Sequence, residues 1–146
     1  MSGHWDRDLA VDLDAINNWG AAAVVTLVEP KELTLLRVER LGEEVVRRHM
    51  LWFHLPIVDV SIPDQSFEEK WDTAGVELRS ILRNGSDVVV HCRGGLGRAG
   101  TIASRLLIEL GMPPKTAIER VRAVRPGGIE TRAQEKYVLA VSANEK

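Results

Sequence analysis

The stretch that decides the reading is Val88-Val89-Val90-His91-Cys92-Arg93-Gly94-Gly95-Leu96-Gly97-Arg98-Ala99-Gly100-Thr101. Three consecutive valines read as a short, fully apolar strand. Thr101, Arg105, Leu106, Leu107, Ile108 and Leu110 read as a helix, which Gly111 closes. The loop between them runs from strand end to helix start. Gly94, Gly95 and Gly97 let the backbone turn tightly and gather N–H groups into an anion nest. The helix that follows adds the positive end of its dipole. Arg98 adds a planar fork matched to a tetrahedral oxyanion. This is a candidate phosphate cradle with the thiol of Cys92 at its base. A field that holds phosphate also favours a thiolate, the nucleophilic form of cysteine. A Walker A loop is excluded, because the loop ends in Gly-Arg-Ala and not Gly-Lys-Ser/Thr. A buried cysteine before a generic turn is the bland alternative. It explains the cysteine and leaves the rest of the run to coincidence.

Outward from this loop, strand and helix patterns alternate. Leu9, Leu13 and Ile16 recur at helical spacing, and Gly20 is placed to end that helix. Residues 22–28 form an apolar, partly β-branched run that reads as a buried strand, stopped by Glu29-Pro30. Residues 31–37 are ambiguous, with a short helix as one option. Residues 42–49 read as a helix and 51–56 as a strand. A loop with two prolines covers 56–65, and Ser66 with Glu69 reads as a capping box that opens a helix to about Leu82. Pro113-Pro114 open a helix through Val124, and a last helix covers roughly Arg132 to Val141. The stripes Leu106-Leu107-Leu110 and Ile118-Val121-Val124 read as helix core. Trp52 reads as packed in or near the core, and Trp5, Trp19 and Trp71 have no clear place. The alternation predicts an α/β fold with a mostly parallel sheet and helices on both faces. Ligands in such sheets sit at the carboxyl ends of strands, where the glycine loop falls.

The chain has 146 residues, 45% hydrophobic and 27% charged, which fits one domain spanning 1–146, well ordered over about 8–141. A net charge of −2 argues against a nucleic-acid or membrane-surface partner. Cys92 is the one cysteine, so an intramolecular disulfide and a multi-thiolate zinc site are excluded. No apolar run approaches the ~20 residues that span a bilayer, and the first residues are polar, so a cytoplasmic protein is expected.

Cleaving a phosphomonoester needs a proton for the leaving oxygen, and a loop carboxylic acid can supply it. Asp59 and Asp64, both in the two-proline loop, are the candidates, and chemistry alone does not choose between them.

His91-Cys92-Arg93-Gly94-Gly95-Leu96-Gly97-Arg98 resembles the His-Cys-x5-Arg loop of cysteine-dependent protein tyrosine phosphatases, in particular the kinase-associated branch of the dual-specificity phosphatases and its bacterial relatives. Pro56-Ile57-Val58-Asp59 and Ile129-Glu130-Thr131-Arg132-Ala133-Gln134-Glu135-Lys136-Tyr137 resemble the same branch. The resemblance covers most of the chain from about Asp8. It implies a phosphatase-like single domain with a central, mostly parallel sheet of four to five strands. It implies a phosphoprotein phosphatase that works through a cysteinyl-phosphate with no metal or other cofactor. Phosphate, sulfate or vanadate should also occupy the loop.

Carried onto this chain, the resemblance makes Cys92 the nucleophile and Arg98 the phosphate clamp. It selects Asp59 as the acid, in the Pro-Ile-x-Asp position, and leaves Asp64 as a helix-start charge. It makes Gln134 the group that places the hydrolytic water. Arg93, Gly94, Gly95, Leu96, Gly97 and Arg98 would bind the substrate phosphate. His91 would stabilise the loop, with Thr101 and Arg125 in support. Many relatives carry Ser or Thr directly after the loop arginine, where its hydroxyl stabilises the departing thiolate. Here that position is Ala99, which predicts slow breakdown of the phosphoenzyme. A phosphate-gripping but inactive module and a rhodanese-like sulfurtransferase are the competing readings. The second does not call for Asp59.

Overall fold

Ala21–Thr26 (β1) is apolar along nearly its whole length because it is covered on both sides. Val24 and Val28 face one way, and Ala23, Val25 and Leu27 the other. The protein is described from a computed structural model for residues 9–93 and 97–142. Around β1 the elements run α1 (Leu9–Trp19), β1, α2 (Pro30–Leu35), α3 (Leu41–Arg47), β2 (Leu51–His54), α4 (Gln65–Arg83), β3 (Asp87–His91), α5 (Gly97–Glu109), α6 (Pro114–Val124) and α7 (Arg132–Leu139).

The strands are all parallel, in the order β2-β1-β3. The sheet thus has three strands among the described residues, where four to five were expected. β2 is also shorter than its apolar run suggests. It ends at His54, although Leu55 N and Ile57 N still donate to the carbonyls of Thr26 and Leu27. These two donors, two residues apart, reach consecutive carbonyls of the β1 segment, and that irregularity ends the regular ladder.

One face packs on α4 and α5 through Phe67, Trp71, Leu78, Ile102 and Leu106. The other packs on α1, α2 and α3 through Leu13, Leu33, Leu36, Leu41 and Val45. Cys92 sits at the strand end and touches both clusters. A third cluster joins α5, α6 and α7 through Ile108, Ala117, Ile118, Ile129 and Val138.

Three local expectations change. The ambiguous segment after β1 is α2, opened by a capping box in which Glu32 reaches back to the Glu29 N–H at 2.8 Å. The box read at Ser66 and Glu69 does not form. Asp64 caps α4 by accepting from Phe67 N at 2.9 Å, and Ser66 lies inside the helix. Val124 is not core: it is 80% exposed at the last turn of α6, beyond the residues that meet α5 and α7. Trp71 is buried, Trp52 half-buried and Trp19 exposed, while Trp5 lies outside the described residues.

Candidate active site

The last paired row across the sheet is His54, Thr26 and His91, and Cys92 follows immediately. Cys92 lines a cavity of about 170 Å³ together with Asp59, Val60, Arg93, Gly97, Arg98 and Glu130. The cavity therefore lies at the carboxyl end of the sheet, beside the N-terminus of α5.

Arg98 is buried in the first turn of α5. Its Nη1 and Nη2 donate to the two oxygens of Glu32 at 2.8 and 2.9 Å, and Nη1 also donates to the Ile57 carbonyl at 2.9 Å. The fork is thereby locked in one plane. Its Nε is buried without a hydrogen-bond partner among the described residues. Burial works to lower the Arg98 pKa, but the Glu32 hydrogen bonds and the charges of Glu32 and Asp59 raise it above the ordinary arginine value. Burial likewise works to raise Glu32, and hydrogen bonds from Arg98 and the Glu29 backbone, with the charges of Arg98 and Arg93, hold it below the usual carboxylate range.

Asp59 stands on the rim, exposed, with Oδ1 3.4 Å from Arg98 Nη2. The same oxygen accepts from Val60 N at 2.9 Å. Val60 has φ +54°, a left-handed conformation that is unusual for a β-branched residue and stores strain of about 1–3 kcal/mol. Ile129, before the cavity residue Glu130, is left-handed too, at φ +63°. Two of the cavity's walls, at Asp59 and at Glu130, are thus set by strained β-branched residues.

Gln134 is fully buried and does not line the cavity among the described residues. Its Oε1 accepts from the backbone N–H groups of Glu130 (2.9 Å) and Thr131 (3.0 Å), completing the capping box of α7. Its Nε2 donates to the Ser61 carbonyl at 3.1 Å. One carboxamide thus ties the Asp59 loop to the start of α7. A Cβ at Gly97 would lie 2.9 Å from Gln134 Oε1 and 3.0 Å from Glu130 Cβ, so a side chain there would displace both.

Thr101 is buried and donates its hydroxyl to the Gly97 carbonyl at 2.7 Å, which braces the first turn of α5. That hydroxyl is committed to the helix, so it cannot replace the one missing at Ala99. His91 Nε2 lies 2.7 Å from Thr26 Oγ1. Arg125 is exposed at the end of α6 and is not among the cavity residues. Gly94, Gly95 and Leu96 lie outside the described residues. Arg93 does reach the cavity.

Sequence reading passed over Glu32 and Glu130. Glu32 carried a weak signal, since it follows the carboxyl end of a buried strand. Glu130 carried none beyond its place in the motif around Gln134.

The family model described as "PTP-SAK: Swiss Army Knife protein, DSP-PTPase phosphatase domain" matches residues 8–138. Cyclin-dependent kinase inhibitor 3 of Rattus norvegicus is 31% identical over 135 residues, covering 90% of this chain and 62% of its own. The chain thus spans less than two-thirds of that relative. Protein tyrosine phosphatase type IVA 3 of Homo sapiens is 32% identical over 132 residues, covering 88% of this chain and 71% of its own. Among solved structures, kinase associated phosphatase with its catalytic-site cysteine replaced by serine superposes with a TM-score of 0.80 at 28% identity, covering 90% of this chain and 74% of that one. Tk-PTP in its active form gives 0.73 at 32% identity, covering 88% and 82%.

Proposed function

The chain belongs to the DSP-PTPase phosphatase domain family, and on that premise we propose that it hydrolyses phosphomonoesters of phosphoproteins, phosphotyrosine and also phosphoserine or phosphothreonine, through a cysteinyl-phosphate. The observation that carries this reading is the shared cavity of Cys92, Arg98 and Asp59 at the carboxyl end of the sheet.

In the first step the Cys92 thiolate attacks phosphorus and forms the S–P bond. The P–O bond to the substrate breaks, and its electron pair leaves with the oxygen, which takes a proton from Asp59. Arg98 holds the equatorial oxygens, its fork already oriented by Glu32. Its buried Nε is a further donor for phosphate. In the second step water attacks phosphorus, its proton passes to Asp59, and the S–P electron pair returns to sulfur. Inorganic phosphate leaves.

Gln134 contributes to the second step by holding the Asp59 loop through Ser61, and so fixes where the base meets the water. Arg93 meets the substrate beside the phosphate, while Gly94, Gly95, Leu96 and Gly97 supply backbone donors. The working location is the cytoplasm, where a catalytic thiol stays reduced. No helix of the described residues is long and apolar enough to cross a membrane.

Hydrolysis of para-nitrophenyl phosphate with chelator present, by wild type and Cys92→Ser in parallel, tests the mechanism. Wild-type turnover with a loss of at least about 10³-fold in the variant supports it. Equal turnover by both overturns it. Vanadate binding with no turnover by wild type points instead to a phosphate-binding module.

A further inference from the structure

The hydroxyl of Thr26 is fully buried between two rings. Trp52 Nε1 lies 2.8 Å from Thr26 Oγ1 on one side, and His91 Nε2 lies 2.7 Å from it on the other. An indole N–H can only donate, so Thr26 Oγ1 must accept from Trp52. The threonine has one hydrogen of its own, and His91 Nε2 is the acceptor the described residues offer it. Were Nε2 to carry a hydrogen, Thr26 would accept twice and bury its own hydrogen without a partner. The direction of the chain is therefore set from outside, from Trp52 to Thr26 to His91.

Trp52 is itself held in place. Its ring stacks on His54 with centroids 5.0 Å apart. It also lies so close over α3 that a Cβ on Gly42 would collide with its ring. Burial, with the charges of His54 and Arg98, lowers the His91 pKa to about 4, so the ring is neutral at pH 7.

We propose that Trp52 and Thr26 are positioning residues that hold His91 as the neutral Nδ1–H tautomer and thereby order the Cys92 loop for catalysis. His91 is the last residue of β3 and Cys92 follows it directly, so a fixed ring bears on the backbone that carries the thiol. Which ring nitrogen carries the hydrogen is set by the hydrogen bond the other makes, so the tautomer is one the protein imposes. The proposal rests on the reading of Cys92 as the nucleophile, but its first readout does not.

The test is 15N NMR of the histidine rings at pH 7, with kcat and KM for para-nitrophenyl phosphate, on wild type, Thr26→Val, Thr26→Ser and Trp52→Phe. The expected wild-type pattern is a protonated Nδ1 and an unprotonated Nε2 on His91. Thr26→Val and Trp52→Phe should shift it toward Nε2–H and lower kcat by about 5- to 20-fold with KM little changed. Thr26→Ser keeps the hydroxyl and should keep both the pattern and the rate. A wild-type Nε2–H pattern overturns the proposal, as does a pattern unmoved by Trp52→Phe. A shifted pattern with unchanged kcat overturns the link to Cys92. Failure of the nucleophile reading would appear separately, as activity retained by Cys92→Ser.

Discussion

Arg98 is gripped by Glu32 through both of its terminal nitrogens, at 2.8 and 2.9 Å, in a site where both side chains are buried. The pair joins α2, on one face of the sheet, to the first turn of α5 on the other. Glu32→Ala strands a buried guanidinium, a change that costs about 3–5 kcal/mol of stability. Glu32→Gln keeps the shape and one acceptor, so the fold should persist. The expected result for Glu32→Gln is a 10- to 100-fold fall in kcat/KM, about 1.4–2.7 kcal/mol of transition-state stabilisation, from an Arg98 no longer held flat. Steady-state kinetics beside a urea denaturation curve separates the two effects. Unchanged kcat/KM in a folded Glu32→Gln protein would show that Arg98 needs no such support.

His91 gives a pH dependence of stability. Its folded pKa is lowered to about 4 from 6.5, by burial first and then by the charges of His54 and Arg98. Between those values the unfolded chain binds more protons than the folded one, so stability rises with pH. The stabilisation is fully present above about pH 6.5 and is lost as pH falls toward 4, amounting to about 3 kcal/mol in all. Urea midpoints at pH 7 and pH 5 should therefore differ by more in wild type than in His91→Gln. An equal drop in both would remove His91 from the account.

Among the described residues two carboxylates face the cavity, and they are not equivalent. Asp59 is paired with Arg98 at 3.4 Å, whereas Glu130 lies near the start of α5. With Asp59 as acid and base, Asp59→Asn should lower kcat by about 10²–10⁴-fold for substrates with poor leaving groups. The loss should shrink for para-nitrophenyl phosphate, whose leaving group needs less protonation. Glu130→Gln should change kcat by less than about 3-fold and lower KM, since it removes a negative charge from a phosphate site. The reverse ranking in kcat would move the acid to Glu130.

The parts of this site that lie in one run of sequence were the legible ones. Cys92, Arg93 and Arg98 share a strand-loop-helix segment whose chemistry is local, and all three meet in the cavity. The helices read from apolar spacing formed within a residue or two of their expected bounds, except α5, which starts at Gly97 and not at Thr101. What was not legible depends on contacts between distant segments. Glu32 meets Arg98 across 66 residues of sequence, and Thr26 meets His91 across 65. Gln134 shows the other limit. A glutamine on an amphipathic helix suggests a solvated side chain, yet here it is fully buried, because the backbone N–H groups of Glu130 and Thr131 and the Ser61 carbonyl satisfy its amide. The sheet was overcounted because the family resemblance supplied strands that no apolar run in this chain encodes.

Ala99 carries the last prediction. It is buried in the first turn of α5, directly after Arg98, where many relatives place a hydroxyl. When the S–P bond breaks, the returning electron pair leaves a thiolate that such a hydroxyl would stabilise. Thr101 cannot substitute, because its hydrogen is given to the Gly97 carbonyl at 2.7 Å. A hydrogen bond to a charged group is worth on the order of 1.5–3 kcal/mol, so its absence slows dephosphorylation by about 10-fold or more. Formation of the phosphoenzyme should then outrun its hydrolysis. Rapid mixing with para-nitrophenyl phosphate should show a burst of nitrophenolate close to one equivalent of enzyme, followed by a slow steady state. Ala99→Ser should raise the steady-state rate by about 10-fold and abolish the burst, leaving the first-step rate within about 2-fold. A wild-type trace with no burst and rapid turnover would mean that the thiolate is stabilised by other groups of the loop, and that the missing hydroxyl costs this enzyme nothing.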